Sequence, residues 1–226
     1  MISSAATACS CLRCRKAAAR RGNDAALFFE SMNMHKKLQL LLLMMLALPA
    51  LSAIAADADA GKRKAEVCVS CHGPAGNSAN GAFPTLAGQT SRYLYLQLRD
   101  FKEGRRKDPV MSPMAASLSK EDMQDLAEYF GAQKQAANGF KADPAKVSAG
   151  AAKANEVLCA MCHLGELKGQ NEIPRLAGQQ PEYVMKQLKD FRERNRTNDA
   201  GNMTSVSKNL SDDDIANLAQ YIANLY

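Results

Sequence analysis

Two motifs of five residues bring thiols and an imidazole together at a fixed spacing. They are Cys68-Val-Ser-Cys71-His72 and Cys159-Ala-Met-Cys162-His163. Residues three and four apart on a helix share a face, so both sulfurs of a motif can bond covalently to one edge of a porphyrin. The neighbouring imidazole can then reach the iron. Cys-x-x-Cys-His is the attachment signature of haem c, and it predicts two covalently bound haem c groups, attached through Cys68, Cys71, Cys159 and Cys162.

Two other kinds of site also use paired cysteines. A redox disulfide of thioredoxin type needs a strand-helix-strand pattern around the motif, and no alternating strand pattern is present. A zinc ribbon places its cysteine pairs about 15–20 residues apart, whereas Cys68 and Cys159 are 91 positions apart. The histidine after each pair favours haem c over both alternatives.

The number of histidines limits how each iron is held. The chain has three, and two of them, His72 and His163, belong to the motifs. The third, His35, lies in an N-terminal segment that we interpret as a leader. Ligation by two histidines within the chain is therefore excluded, and a different ligand or none fills the opposite axial position. Methionine is the natural candidate, because it is a standard partner of histidine and raises the reduction potential.

An internal repeat selects the methionines. Pro84–Gln89 recurs as Pro174–Gln179, and the similarity continues towards the C-terminus at offsets of 90 to 92 residues. Met111 aligns with Met203, each seven residues before a Leu-Ser pair. The other candidates align with residues that do not bind iron, Met114 with Val206 and Met123 with Ile215.

We therefore predict Met111 and Met203 as axial iron ligands, opposite His72 and His163. Core packing is the usual role of a lone methionine. These two lie in polar stretches at matching positions, which we interpret as loops.

Pro84 and Pro174 follow the motif histidines by 12 and 11 residues. A backbone carbonyl at this position could accept a hydrogen bond from the histidine Nδ1 and orient the ring. The alternative is an ordinary proline that rigidifies a turn.

The apolar pattern between the motifs is helical. Leu94, Leu98 and Phe101 recur at the spacing of one helix face, and the second copy repeats the pattern. The final segment of each copy opens with Ser-x-x-Asp, a capping box that predicts helix starts at Ser119 and Ser211. These patterns predict an all-α fold.

The N-terminal part has the pattern of a secretory signal peptide. A basic stretch, Met34–Lys37, precedes an apolar run over residues 38–56, and small residues at Ala53 and Ala55 fit a cleavage site. We predict export to the periplasm and cleavage after Ala55. An uncleaved membrane anchor is the alternative.

The chain then divides into five segments. They are an upstream segment (1–33) absent from the mature protein, the signal peptide (34–55), a first module (56–135), a linker (136–148) and a second module (149–226). The upstream segment contains Cys9, Cys11 and Cys14 without a histidine among them. We expect translation to begin at Met32 or Met34.

The net charge of the mature part gives no support for nucleic-acid binding. Of the 29 Lys+Arg and 23 Asp+Glu in the chain, seven and two lie within residues 1–55, which leaves 22 and 21 and a net charge of +1. The net charge of +6 for the whole chain is therefore no argument for nucleic-acid binding.

With these motifs in hand, the chain resembles the dihaem cytochrome c4 family. The resemblance rests on the tandem haem motifs, on Phe83–Gln89 and on Asn195-Arg-Thr-Asn198 shortly before Met203, and it covers about residues 56–226. It implies two tandem class I cytochrome c domains, all-α and related by pseudo-two-fold symmetry. It implies the same cysteine, histidine and methionine ligands.

The resemblance also implies a function. A protein of this kind is a periplasmic single-electron carrier of a respiratory chain, which receives electrons from a reductase and donates them to a terminal oxidase; it is not an enzyme. One alternative is a haem enzyme such as a dihaem peroxidase, which needs an open iron and an acid/base group. Another is the electron-transfer subunit of a dehydrogenase complex. Loose membrane association is left open.

Overall fold

The computed structural model describes residues 33–36, 38–39 and 56–226. The chain divides into two units, Met1–Ile54 and Ala55–Tyr226, and every element below belongs to the second. The segment with Cys9, Cys11 and Cys14, the predicted cleavage site and most of the predicted signal peptide lie outside the described residues. Within the described part of the chain, no helix is both long and apolar enough to cross a membrane.

The first module is helical. Its α-helices in chain order are α1 (Ala58–Lys64), α2 (Glu66–His72), α3 (Ser91–Lys102), α4 (Met111–Ala116) and α5 (Lys120–Gly131). Helices α1 and α3 pack against α5. The core between them includes Leu94, Leu126 and Phe130, and Leu94 belongs to the apolar face that the sequence predicts.

The second module repeats this order. Its helices are α6 (Pro144–Glu156), α7 (Cys159–His163), α8 (Pro181–Arg192), α9 (Asn202–Ser207) and α10 (Asp212–Ala223). Helices α6 and α8 pack against α10 around Leu188, Ile215 and Leu218. Apart from an isolated bridge between Gln170 and Ile173, residues 56–226 contain no β-structure. The predicted all-α fold is confirmed.

Both predicted capping boxes are present. Ser119 Oγ accepts a hydrogen bond from the Asp122 N–H at 3.0 Å, and the Asp122 carboxylate accepts one from the Ser119 N–H at 2.8 Å. Ser211 and Asp214 make the same pair of bonds. In the first module the Lys64 ammonium also donates to Asp122 at 2.7 Å. This side-chain hydrogen bond, with the capping bonds from Ser119, lowers the pKa of Asp122 to about 2.

The end of the predicted linker is helical instead. Helix α6 begins at Pro144, so residues 144–148 belong to it. The Asp143 carboxylate caps the helix by accepting a hydrogen bond from the Ala145 N–H at 2.9 Å. Proline is well suited to the first turn, because its missing N–H would have no partner there. Pro144 therefore starts a helix, although proline in the interior of a helix breaks it.

Each module is closed by a helix crossing at a glycine. Helix α1 meets α5 at Gly61, and α6 meets α10 at Gly150. A Cβ on Gly61 would lie 2.1 Å from the Asp125 carbonyl oxygen, and one on Gly150 would lie 2.1 Å from that of Asn217. Only a hydrogen fits at either position, because the facing backbone is itself held by helical hydrogen bonds.

The two modules face each other through reciprocal contacts. Arg106 Nη2 donates to Tyr183 Oη at 2.9 Å, and Arg196 Nη2 donates to Tyr93 Oη at 3.0 Å. Both arginines are buried. Each contact has a counterpart with the modules exchanged, as a two-fold axis requires. The predicted pseudo-two-fold symmetry is confirmed.

The modules fill one core position in different ways. In the first, Gly76 has a φ of +78°, and a Cβ there would lie 2.7 Å from Phe130 Cδ1. In the second, the same turn holds Leu167, which is 2% exposed and belongs to one core cluster with Ile222. Glycine on the turn is thus paired with phenylalanine on the last helix, and leucine on the turn is paired with the smaller isoleucine. The smaller helix residue offsets part of the volume that leucine adds to the core.

The contact between Gly76 and Phe130 predicts that mutations at these two positions change the free energy of unfolding non-additively. We expect Gly76→Leu to lower the free energy of unfolding by about 3 kcal/mol, because the side chain overpacks the core and takes a positive φ. Adding Phe130→Ile should recover part of that loss, since it recreates the pair of the second module. Urea denaturation followed by circular dichroism measures the effect. Phe130→Ile alone is the control and should leave a destabilising cavity; simply additive losses would contradict the pairing.

Candidate functional site

Both motifs lie on a short helix that follows the first helix of its module. The first motif ends α2, and the second forms the whole of α7. Cys68 and Cys71 are partly exposed, whereas His72 is only 5% exposed. His163 is equally buried. Each helix therefore keeps its sulfurs accessible to a cofactor and its imidazole inside the module.

A proline carbonyl orients each imidazole. His72 Nδ1 lies 2.8 Å from the Pro84 carbonyl oxygen, and His163 Nδ1 lies 2.8 Å from that of Pro174. Each Nδ1–H donates to the carbonyl, which leaves Nε2 free to bind a metal ion. The predicted hydrogen bond is confirmed in both modules, and these prolines do more than rigidify a turn.

The surroundings keep the imidazoles neutral. Burial lowers the pKa of His72 and of His163, and the hydrogen bond to the proline carbonyl opposes only part of this effect. Neutral imidazole is the form that binds metal ions.

The first cysteine of each motif is not an activated thiolate. Burial raises the pKa of Cys68 and of Cys159, and the four cysteines of the motifs are unpaired. The nucleophilic cysteine of a thioredoxin-like site has a lowered pKa instead. The electrostatics therefore disfavour the disulfide alternative.

The predicted methionine ligands lie on short helices, so their interpretation as loop residues was wrong. Met111 begins α4, and Met203 is the second residue of α9. An aspartate folds each turn: the Asp108 carboxylate accepts hydrogen bonds from the Val110 and Met111 N–H groups at 3.0 Å. Asp199 does the same for Gly201 and Thr204. These local caps supply the helix start that apolar periodicity does not reveal.

Burial separates these methionines from Met114, Met123 and Met161. Met111 and Met203 are half-buried, and Met203 packs against the core of its module. Met123 is 4% exposed within the core, whereas Met114 and Met161 are 41% and 73% exposed. Met111 and Met203 have the intermediate exposure expected at the wall of a cofactor site, but Met185 has it too, so the alignment of the two copies is what separates them from Met185.

The two sites differ at the residue after the histidine and at the residue before the proline, and the spacing of the motifs reveals neither difference. Leu164, directly after His163, has φ +63° and ψ 176°, a region that is essentially restricted to glycine and costs about 1–3 kcal/mol. The equivalent residue after His72 is Gly73, with φ +76° and ψ 171°. Phe83 also lies edge-on to His72 at 6.2 Å between ring centroids, where the repeat places Ile173. Both substitutions are visible when the two copies are aligned residue by residue, whereas the conformation of Leu164 is visible only in the structure.

These groups fit haem c. Each module offers two unpaired thiols, a neutral imidazole with Nε2 available and a half-buried thioether. Thiols form the covalent links, and histidine with methionine is a standard axial pair. The arrangement can thus hold an iron whose two axial positions are both filled.

Comparison with known proteins agrees with this chemistry. The family model "Cytochrome c" matches residues 58–133 and 147–226. Cytochrome c4 of Azotobacter vinelandii is 43% identical over 205 residues, which cover 82% of this chain and 97% of the relative. The thiosulfate dehydrogenase electron acceptor of Stutzerimonas stutzeri (strain A1501) is 37% identical over 172 residues, which cover 71% of this chain and 80% of the relative.

A solved structure shows the same architecture. The crystal structure of reduced recombinant cytochrome c4 from Pseudomonas stutzeri matches with a TM-score of 0.71 at 40% identity, and covers 76% of this chain and 100% of that chain. Each of the two family matches contains one Cys-x-x-Cys-His motif, which accounts for two covalently bound haem c groups. The chain therefore belongs to the dihaem cytochrome c4 family and is an electron-carrying cytochrome of two tandem cytochrome c domains.

Proposed function

We propose that this cytochrome carries single electrons through the periplasm, from a respiratory reductase to a terminal oxidase, and that it is not itself an enzyme. The observation that supports the proposal is that each module offers one oriented histidine and one half-buried methionine as candidate iron ligands. A buried histidine is held by a proline carbonyl, and a half-buried methionine is available for the opposite side. An iron with both axial positions filled exchanges electrons without binding a substrate.

The same proposal assigns the residues. Cys68 and Cys71 attach the first haem, and Cys159 and Cys162 attach the second. The axial ligands are His72 with Met111 in the first module and His163 with Met203 in the second.

The mechanism is outer-sphere electron transfer. Haem supplies an iron that alternates between the ferrous and ferric states. The protein keeps the imidazole in one orientation through the proline carbonyl, and burial of His72 and His163 excludes water from that side. The hydrogen bond to the proline carbonyl would hold each histidine in the same place in both oxidation states, so little of the protein would have to rearrange on electron transfer.

A peroxidase function receives less support. Peroxide cleavage needs an open iron and an acid/base group close to it. The two histidines of the modules already use Nδ1 to bind a proline carbonyl and have Nε2 for the iron. Neither module thus offers a spare imidazole for the chemistry.

One relative suggests a second candidate for the electron donor. The curated relative from Stutzerimonas stutzeri is named as the electron acceptor of thiosulfate dehydrogenase. A protein with this function would receive electrons from that enzyme and pass them on by the same outer-sphere mechanism. The two candidates differ in the partner, and the chemistry at the haems is shared.

Mutation of the methionines tests the ligands. We expect Met111→Ala and Met203→Ala each to abolish about half of the weak red absorption band that a methionine–iron(III) bond produces. Each should also lower the reduction potential of one haem, because methionine ligation raises it. Visible spectroscopy of the oxidised protein and a redox titration measure both effects.

The other methionines are matched controls. Met161→Ala, at an exposed site, should leave the band unchanged, and Met123→Ala should reduce stability without affecting it. An intact band in Met111→Ala would show that another group binds the first iron.

Rapid mixing tests the partner. The reduced holoprotein should be reoxidised by membranes of the producing cells, and cyanide should block this because it inhibits terminal oxidases. Mixing the oxidised protein with thiosulfate dehydrogenase and thiosulfate tests the second candidate. Steady consumption of peroxide by the purified protein alone would instead identify an enzyme.

Cell fractionation tests the export signal. We expect the holoprotein in the periplasmic fraction, with a mass that corresponds to a chain beginning at Ala56, because the small residues up to Ala55 fit signal peptidase. A membrane-bound protein that retains residues 34–55 would identify the segment as an anchor.

A further inference from the structure

Two buried glutamines reach across the interface between the modules. Gln179 Oε1 accepts a hydrogen bond from the Thr85 N–H at 2.7 Å, and Gln179 Nε2 donates to the Thr85 carbonyl at 2.9 Å. Gln89 holds the N–H and the carbonyl of Arg175 at the same two distances, 2.7 and 2.9 Å. Each glutamine thus binds both backbone polar groups of one residue in the other module.

The residues that are held follow the two histidine-binding prolines. Thr85 comes directly after Pro84, and Arg175 directly after Pro174. The Pro84 carbonyl and the Thr85 N–H belong to the same planar peptide unit. Anchoring the Thr85 N–H therefore also fixes the direction in which the Pro84 carbonyl points. That carbonyl is the acceptor for His72 Nδ1.

The contacts form a continuous chain of hydrogen bonds. It runs from Gln179 Oε1 through the peptide between Pro84 and Thr85 to His72 Nδ1. Consecutive hydrogen bonds polarise one another, so an amide whose N–H is bound has a better acceptor oxygen. The reciprocal chain runs from Gln89 through the peptide between Pro174 and Arg175 to His163.

Burial makes the hydrogen bonds from the two glutamines costly to lose. Thr85 is 5% exposed, and Gln89 and Gln179 are each 7% exposed. Water cannot easily replace the glutamine as a partner of the buried Thr85 backbone, so losing the side chain would leave polar groups unsatisfied. The peptide would then turn towards other partners and weaken its bond to the histidine.

We propose that Gln179 is a positioning residue for His72 and that Gln89 is a positioning residue for His163. The reduction potential of each haem iron thereby depends on a glutamine of the opposite module. The inference rests on the proposed axial role of the two histidines.

The effect on the iron has a definite sign. A strong hydrogen bond from Nδ1–H makes the imidazole a more basic ligand, which favours iron(III). Loss of the glutamine should weaken this bond and raise the reduction potential of the haem in the opposite module. The haem in the module that carries the mutation should change less.

The experiment uses Gln179→Met in the full holoprotein. Proton NMR of the reduced, diamagnetic state measures hydrogen exchange of the histidine Nδ1–H groups, and a redox titration gives the two potentials. We expect exchange of the His72 proton at least about tenfold faster than in the wild type, corresponding to loss of one buried hydrogen bond. The His163 proton should keep its rate. Gln89→Met should give the opposite pattern.

Gln180 provides a matched control. It is 4% exposed, adjoins Gln179, and donates across the same interface to the Ser78 carbonyl. Gln180→Met therefore breaks an equally buried bond between the modules without touching the peptide after Pro84. Exchange at His72 should stay at the wild-type rate in this variant.

Three results would overturn the proposal. They are unchanged exchange in Gln179→Met, equal acceleration at both histidines, and the same acceleration in Gln180→Met, which would indicate general loosening of the interface. Failure of the proposed function has a different signature. An iron-bound imidazole shows large haem ring-current shifts, and their absence in the wild type would remove the ligand assignment while the exchange rates still decide the role of the glutamines.

Discussion

The contact between the first and last helix of each module is the constraint on which the other features depend. At Gly61 and Gly150 the helices approach so closely that a Cβ would lie 2.1 Å from a facing carbonyl oxygen. The haem motif follows within a few residues, since α1 ends at Lys64 and α2 begins at Glu66. The crossing therefore places the first cysteine and the histidine of each motif against the core. A module of this size buries a small core and is only marginally stable, so losing the packing at this crossing would be strongly destabilising.

The duplicated modules keep one backbone and vary the side chains that line it. Gly76 with Phe130 in the first corresponds to Leu167 with Ile222 in the second. Leu164 takes a backbone conformation that Gly73 adopts without strain. Reduction potential depends on burial, hydrogen bonding and the ligands together. Two irons with the same proposed ligands thus have different surroundings, and we do not expect their potentials to be equal.

The interface between the modules is polar, symmetric and buried. The guanidinium groups of Arg106 and Arg196 bind tyrosine and glutamine oxygens of the opposite module. Such contacts demand accurate geometry, because a buried charge without its hydrogen bonds is costly. The interface therefore holds the two haem sites in one arrangement, and the glutamine contacts connect it to the histidines of the two motifs.

The sequence by itself determined the number of haems, the proline carbonyls that face the histidines, the two capping boxes and the pairing of Met111 with Met203. All of these depend on spacing along the chain or on comparison of the two copies, and the linear sequence contains both kinds of information. The helix start at Pro144 and the helices that carry the methionines depend on caps in segments without apolar periodicity. The glycine crossings and the roles of Gln89 and Gln179 were decided only by tertiary structure, because their partners lie about 60 to 90 residues away in the chain.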